Sequence, residues 1–516
     1  MKPTIRHPLA AAGHALLVFS TLIAGCAVGP DFHRPEAPDA QGYTVAPLRP
    51  QTAADAPGGA AQRFVSGQDV SARWWQAFQS PPLDALIDRA LKASPNIDAA
   101  RATLAQAQEL VYAQRGFFFP NAQIGYSPSR TKASGNTAGA NAPGIQGDGT
   151  VIGPSAPAAP VLYNFHTAQL TVGFVPDVLG GNRRAVESLQ AQADAQGFAL
   201  EAARVTLATN LTAAAIQEAS LRAQLDAVKR MVAINTRGLE ILKRQQQAGY
   251  ASGLDVATQE TALAQAEQAL PPLTRQLEQT RDLIRVLAGN RPDQDVAETF
   301  TLASLHLPET LPLSLPSQLV QQRPDVRAAE AQLHAATASV GVAIANRLPQ
   351  LSLTATMGGE AAHLDQMFKD SGKFFSVVGN IAMPLFDGGT LRHRQYAAEE
   401  GVNLAGAQYR ATVLTAFQNV ADTLHALNAD AESFAAASRT EKASHRAFDL
   451  TRKQHEAGYV NSLALFSAEQ NYLQASLTLI QARAGRLGDT AALFQALGGG
   501  WWNGQDKMAA SDTAEH

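Results

Sequence analysis

Pro95-Asn96-Ile97-Asp98-Ala99-Ala100-Arg101 opens a stretch that the chain writes a second time as Pro324-Asp325-Val326-Arg327-Ala328-Ala329-Glu330. The two align without a gap as far as Pro120-Asn121 and Pro349-Gln350, 229 residues apart throughout. Further on, Ala248-Gly249-Tyr250 with Leu254 matches Ala457-Gly458-Tyr459 with Leu463, now 209 residues apart. Each copy reads helix, strand pair, very long helix, tight turn and returning helix. Duplication of such a unit points to a pseudo-symmetric structural object before it points to an enzyme.

Working outward, the segments after Pro120 and Pro349 change period from about 3.6 residues to 2. Ala122, Ile124 and Tyr126 alternate with Gln123, Gly125 and Ser127; Ala168, Leu170, Val172 and Phe174 alternate with Gln169, Thr171 and Gly173; Leu351, Leu353, Ala355 and Met357 alternate with Ser352, Thr354 and Thr356. A fourth run, 374–383, is less regular. One apolar face and one Thr/Ser/Gln/Gly face over roughly ten residues is the pattern of a strand with lipid on one side and water on the other. An ordinary half-buried sandwich strand shows the same pattern, so the weight comes from four such strands set between helices on an exported chain. Four strands cannot close a barrel, since the smallest bacterial ones have about eight, and open edges are not tolerated in lipid. Several chains must therefore share one barrel, and a trimer supplies twelve strands.

After each strand pair comes a helix of unusual length. Residues 184–247 contain no Pro, and Leu207, Leu211, Ala214, Glu218, Leu221, Leu225, Val228, Val232, Asn235, Leu239, Leu242 and Gln246 keep a strict four-then-three spacing. That is a heptad seam with polar interruptions, about 95 Å long at about 1.5 Å per residue. The second copy runs from about residue 391 to 457. Each long helix turns back at a Gly-Tyr pair into a returning helix, the first of them broken at Pro271-Pro272.

The bulk properties agree. A formal charge of −4 gives no basic face for nucleic acid. Hydrophobic content is 46 % but aromatics are 6 %, which suits Ala- and Leu-rich helices packed along their length. No P-loop, HExxH, nucleophile elbow or calcium loop is present, and the twelve His residues are scattered. No catalytic residue, metal site or cofactor is expected, and the acidic residues of the long helices read as solvated faces. The single Cys26 follows a basic start, an apolar run and Leu22-Ile23-Ala24-Gly25. This is a secretory signal ending in a lipobox, so Cys26 is the expected acylation site and membrane anchor. Ala27, where an Asp would favour inner-membrane retention, directs the product to the outer membrane.

The reading divides the chain into a signal peptide (1–25), a lipid-anchored extended tether (26–70), a first repeat (71–290), a second repeat (291–498) and a C-terminal tail (499–516). The first repeat holds strands at about 117–130 and 164–176 and a helical hairpin at 184–287. The second holds strands at about 349–358 and 374–384 and a hairpin at 391–497.

These motifs together, with Cys26-Ala27-Val28-Gly29-Pro30-Asp31-Phe32, Trp74-Trp75, Arg323-Pro324-Asp325-Val326-Arg327, Pro384-Leu385-Phe386-Asp387-Gly388-Gly389 and Ala496-Leu497-Gly498-Gly499-Gly500-Trp501, resemble the outer membrane factors of Gram-negative efflux systems, the TolC-like proteins, in their OprM/NodT-like lipoprotein branch. The resemblance implies a mainly α fold with membrane β: a homotrimer with a twelve-strand outer-membrane barrel continuous with a long periplasmic helical barrel. It implies a passive exit duct for small molecules, working with a periplasmic adaptor and an inner-membrane pump of the resistance-nodulation-division type. It places adaptor contacts at the hairpin tips, here Gly249, Tyr250, Leu254, Asp255, Gly458, Tyr459 and Leu463. It places the periplasmic gate on the second returning helix, at Leu463, Ser467 and Gln470. Relatives carry an Asp and an Arg where this chain has Ser467 and Gln470, which puts an acidic gate ring in doubt; Glu469 is the neighbouring carboxylate that could replace it, provided the rotation of the helix turns it to the lumen. Two other readings remain open here: the duct of a type I protein secretion system, and a non-conducting lipid-anchored coiled-coil scaffold.

Overall fold

The structure is a computed structural model that describes residues 27–40, 42–47, 49–53, 60–133, 144–145, 151–152 and 161–504. Cys26, the signal segment 1–25 and residues 505–516 lie outside the described residues.

Among the described residues, four short strands and the helices alternate with four longer strands. In chain order the strands are β1 (Arg63–Ser66), β2 (Asn121–Ala133), β3 (Gly144–Ile145), β4 (Val151–Ile152), β5 (Val161–Phe174), β6 (Thr310–Leu313), β7 (Gln350–Ala361) and β8 (Lys373–Ala382). The helices are α1 (Pro81–Ala93), α2 (Pro95–Arg115), α3 (Gly181–Gln247), α4 (Gly253–Gln268), α5 (Leu270–Leu287), α6 (Pro316–Gln322), α7 (Pro324–Ala345), α8 (Thr390–Glu456) and α9 (Ser462–Ala496). The duplication is visible in how α2 and α7 begin. Each starts on a proline, and the residue before it is extended, Ser94 at ψ 122° and Arg323 at ψ 126°. A proline ring disfavours helical geometry in its predecessor, so the chain must turn there. Both long helices, α3 and α8, have 67 residues.

By internal contacts the chain forms two units. The first comprises the described residues of 27–32, 108–191 and 334–403. It holds a four-stranded antiparallel sheet in the order β2-β5-β7-β8. Residues 117–120, read from the sequence as the start of a strand, instead close α2 in a 3-10 turn at Gly116–Phe118 before β2 begins. Residues 27–32 are docked in this unit. Arg184, almost fully buried, donates to the carbonyls of Val28 (3.1 Å) and Gly29 (3.4 Å) and to Asp31 (2.6 Å). Phe32 stacks on His334 at 4.4 Å, and His334 meets Glu187 at 2.9 Å. Gly29 is at φ +98°, and a Cβ there would lie 2.5 Å from the Cα of Gly341, so only glycine fits the approach.

The second unit comprises the described residues of 33–107, 192–333 and 404–504. Trp74, Phe78, Leu83, Leu86 and Ile87 pack with Leu211, Ile284, Phe300, Leu311 and Leu493 in one core. Each of those side chains contributes about 1.5–3 kcal/mol on burial. Along α3 the seam residues Leu207, Leu211, Ala214, Leu221, Leu225, Val228 and Leu242 are buried, with Ala208, Ala215 and Ala219 beside them. The polar members Glu218 and Asn235 are buried too. Glu218 accepts from Arg222 and from Arg281 (3.2 Å), and Arg281 also donates to the carbonyls of Val296 and Glu298. A buried carboxylate survives only with such partners. The first returning arm breaks at Ala269, after which α5 restarts with prolines in its first turn.

One segment differs from the sequence reading. The described parts of 27–70 are not a free tether. Tyr43 Oη donates to Ser314 O (2.8 Å), Gln62 donates to Thr490 (2.9 Å), and β1 pairs in parallel with β6. Of the C-terminal tail, residues 499–504 are held in place: Trp501 Nε1 donates to Gln322 O (2.6 Å) and Trp502 Nε1 to Asp69 (3.0 Å). The acidic residues Glu187 and Glu201, read as solvated, are each held by an arginine.

Candidate functional site

The register of the sheet sorts its side chains. Ile124 faces Leu170, Leu170 faces Met357, and Met357 faces Phe375. Partners in register share a face, so one apolar row crosses all four strands. It is exposed: Ile124 by 86 % and Phe375 by 83 %. The adjacent row on that face is Ala122, Val172, Ala355 and Val377. One residue along, on the opposite face, the row is Gln123, Thr171, Thr356 and Ser376. The irregular fourth run resolves here, with Phe375 and Val377 on the apolar face and Phe374 and Val378 on the other. An exposed apolar sheet face costs free energy in water and none in hydrocarbon. Among the described residues β2 and β8 each keep one unpaired edge.

The hairpin tips are built alike. Gly249 N–H donates to Gln246 O and Tyr250 N–H to Gln245 O; Gly458 N–H donates to His455 O and Tyr459 N–H to Gln454 O. This pair of bonds is the Schellman arrangement, which needs a left-handed residue after the helix. Both glycines supply it, at φ +80° and +81°. Tyr250, Leu254, Tyr459 and Leu463 are all exposed there. Asp255 is engaged locally. Its carboxylate accepts from the Ser252 N–H (3.0 Å) while Ser252 Oγ accepts from the Asp255 N–H (3.2 Å), a capping box opening α4. Hydrogen bonds from Ser252 hold the Asp255 carboxyl below its usual range, and Ser462 of the second tip adds a further one. Asn461 caps α9 through Ala464 N–H (3.0 Å).

On α9 Leu463 and Ser467 lie four residues apart and are both exposed, whereas Gln470 is half-buried. Glu469, considered from sequence as a substitute gate carboxylate, is turned inward and only 2 % exposed. Its Oε1 accepts from Asn235 Nδ2 (3.0 Å), and Asn235 Oδ1 accepts from Gln259 Nε2 (2.7 Å). One amide thus joins α3, α4 and α9. Sequence reasoning did not find this junction; its signal is Asn235 at a seam position of the heptad. Burial pushes the Glu469 carboxyl up to about 7, against the lowering effect of the Asn235 bond. Among the described residues no cluster of His, Cys, Asp or Glu could hold a metal.

A duplicated chain with two helical hairpins and a sheet of this polarity defines an outer-membrane channel subunit. Residues 86–290 and 315–499 match the outer membrane efflux protein family, and the chain belongs to it. It is 29 % identical over 433 residues to the pyoverdine export outer membrane protein OpmQ of Pseudomonas putida, covering 83 % of this chain and 88 % of that one. It is 26 % identical over 500 residues to the toluene efflux pump outer membrane protein TtgF of the same species, covering 94 % and 96 %. Among solved structures it is similar to the outer-membrane channel OprN (TM-score 0.78, 25 % identity, 92 % of this chain and all of that one). The fold also matches the Campylobacter jejuni CmeC channel (TM-score 0.80, 20 % identity, 92 % of this chain and 95 % of that one). The fold is TolC-like, and the protein is an outer-membrane efflux channel of a Gram-negative cell.

Proposed function

We propose that three copies of this chain pool their sheets into one twelve-strand barrel and form a passive exit duct for small molecules. The observation that carries this is the row Ile124, Leu170, Met357, Phe375, backed by Gln123, Thr171, Thr356 and Ser376, on a sheet with both edges open. Unpaired edges cost several kcal/mol per group in lipid, and pairing β8 of one copy with β2 of the next removes them all. The export and efflux roles in the relatives' names favour small molecules as cargo.

In this reading the tips, with Gly249, Tyr250, Leu254, Asp255, Gly458, Tyr459 and Leu463, receive a periplasmic adaptor linked to an inner-membrane pump of the resistance-nodulation-division type. The chain performs no chemistry, and the energy comes from the pump. Leu463 and Ser467 face the closing mouth; with Ser467 there and Glu469 buried, the mouth carries no acidic ring, and cation attraction at that point is weak. Acylated Cys26 anchors the chain to the outer membrane; Cys26→Ser should abolish incorporation of labelled palmitate.

Planar-bilayer conductance tests the duct directly, and persistent absence of current would favour the scaffold reading. Deleting the gene separates the two cargo classes: raised drug susceptibility with normal protein secretion supports small-molecule efflux, and the reverse supports protein secretion.

A further inference from the structure

Glu469 sits where the returning helix of the second repeat meets both arms of the first hairpin. Leu473, one turn further along α9, forms a small apolar cluster with Val228 and Met231 of α3 and Ala266 of α4. Asn235 supplies its hydrogen bond and is itself 0 % exposed. No positive charge pairs with Glu469 among the described residues. On α4, Glu260 pairs with Lys243 of α3 at 2.8 Å, out in solvent. Arg230 of α3 and Glu441 and Asp449 of α8 act on Tyr472, one turn along α9, and His445 packs on that tyrosine ring at 4.9 Å.

We propose that Glu469 is a proton-controlled positioning residue for the gate: protonated, it locks α9 against Asn235 of α3, and ionised, it loosens that packing and favours the open mouth. The inference rests on reading the chain as a gated duct. A neutral carboxyl fits the apolar cluster with one amide donor. An ionised one leaves a buried charge that one hydrogen bond does not offset, and separating the helices to admit water relieves it.

The direction follows from the raised affinity for a proton. The packed state holds the Glu469 proton up to about pH 7, whereas a hydrated glutamate loses it near its ordinary value of 4.5. Packing is therefore strongest below that lower value and weakens as pH rises toward the upper one. Between about pH 5.5 and about pH 7.5 the open-to-closed ratio should rise on the order of tenfold per subunit.

The test uses the full-length acylated protein in planar bilayers, as wild type and as Glu469→Gln, which keeps the amide-sized shape and cannot ionise. In parallel, deuterium uptake over residues 462–473 is expressed as the wild-type to variant ratio at each pH, so that intrinsic exchange rates cancel. Wild-type open probability should climb with pH while Glu469→Gln stays low and flat, and the uptake ratio should climb likewise. The same pH profile in both proteins, or an uptake ratio constant with pH, overturns the inference. If neither protein conducts at any pH, the duct reading fails, and the uptake ratio alone then decides the lock: rising supports it, constant overturns it.

Discussion

Gly249 and Gly458 hold the same backbone position in the two repeats, at φ +80° and +81°, each ending a 67-residue helix with the same two hydrogen bonds. The duplication has thus preserved a turn that places an exposed tyrosine and, four residues on, an exposed leucine at each tip. A side chain at either glycine is strained by its backbone while space around it is open.

Gly458→Val should therefore distort the second tip at a cost of about 1–2 kcal/mol or more for a β-branched residue in the left-handed region. The sheet is a separate unit, so membrane insertion should be unchanged while adaptor capture falls. Cross-linking to the adaptor, set against heat-modifiable migration of the inserted protein, checks this; wild-type cross-linking counts against the tip assignment.

The capping box at the first tip gives a pH dependence. The Asp255 carboxyl is held below its usual range by bonds from Ser252. A depressed carboxyl contributes stability at pH above its unfolded value and loses it as pH falls through the folded one. Fraying of α4 should consequently appear only in acid, below the ordinary aspartate range. Ser252→Ala removes the cap at all pH values, at about 1 kcal/mol. Amide exchange over 253–257 reads both effects.

The Glu218–Arg281 pair should reveal itself by asymmetry. Arg281→Met leaves the fully buried Glu218 with Arg222 alone and should cost about 3–5 kcal/mol. Glu218→Leu with Arg281→Met removes both charges and should recover much of that loss. Thermal unfolding of the two variants compares them; equal destabilisation would show that the charge pair is not what the site requires.

Much of this was legible in sequence wherever a period carried it. The four-then-three spacing placed Glu218 and Asn235 in the seam, and the alternation of Ile124, Leu170 and Met357 fixed which residues share a face. The fourth strand was harder because Phe374 and Phe375 are adjacent and both apolar; only the pairing of Phe375 with Met357 sorts them. Composition said least about residues 27–70. Pro- and Gly-rich residues exclude helix, but they say nothing of contacts such as Tyr43 to Ser314 or Trp501 to Gln322, which join distant segments and leave no periodic trace. The inward turn of Glu469 could have been anticipated, since Leu473 stands four residues on and shares its face. The sequence left its direction to the rotation of the helix, and Leu473 on the same stripe is the residue that settles it.

Edge-to-edge cross-linking in outer membranes measures the sharing of one barrel most directly. One cysteine is placed in Asn121–Ala133 and one in Lys373–Ala382 of the same chain, and the pair is scanned along the two strands. The account predicts that some pairs give a covalent trimer on denaturing gels, while each single variant stays monomeric. A chain that remains monomeric for every pair, or closes only on itself, would contradict it.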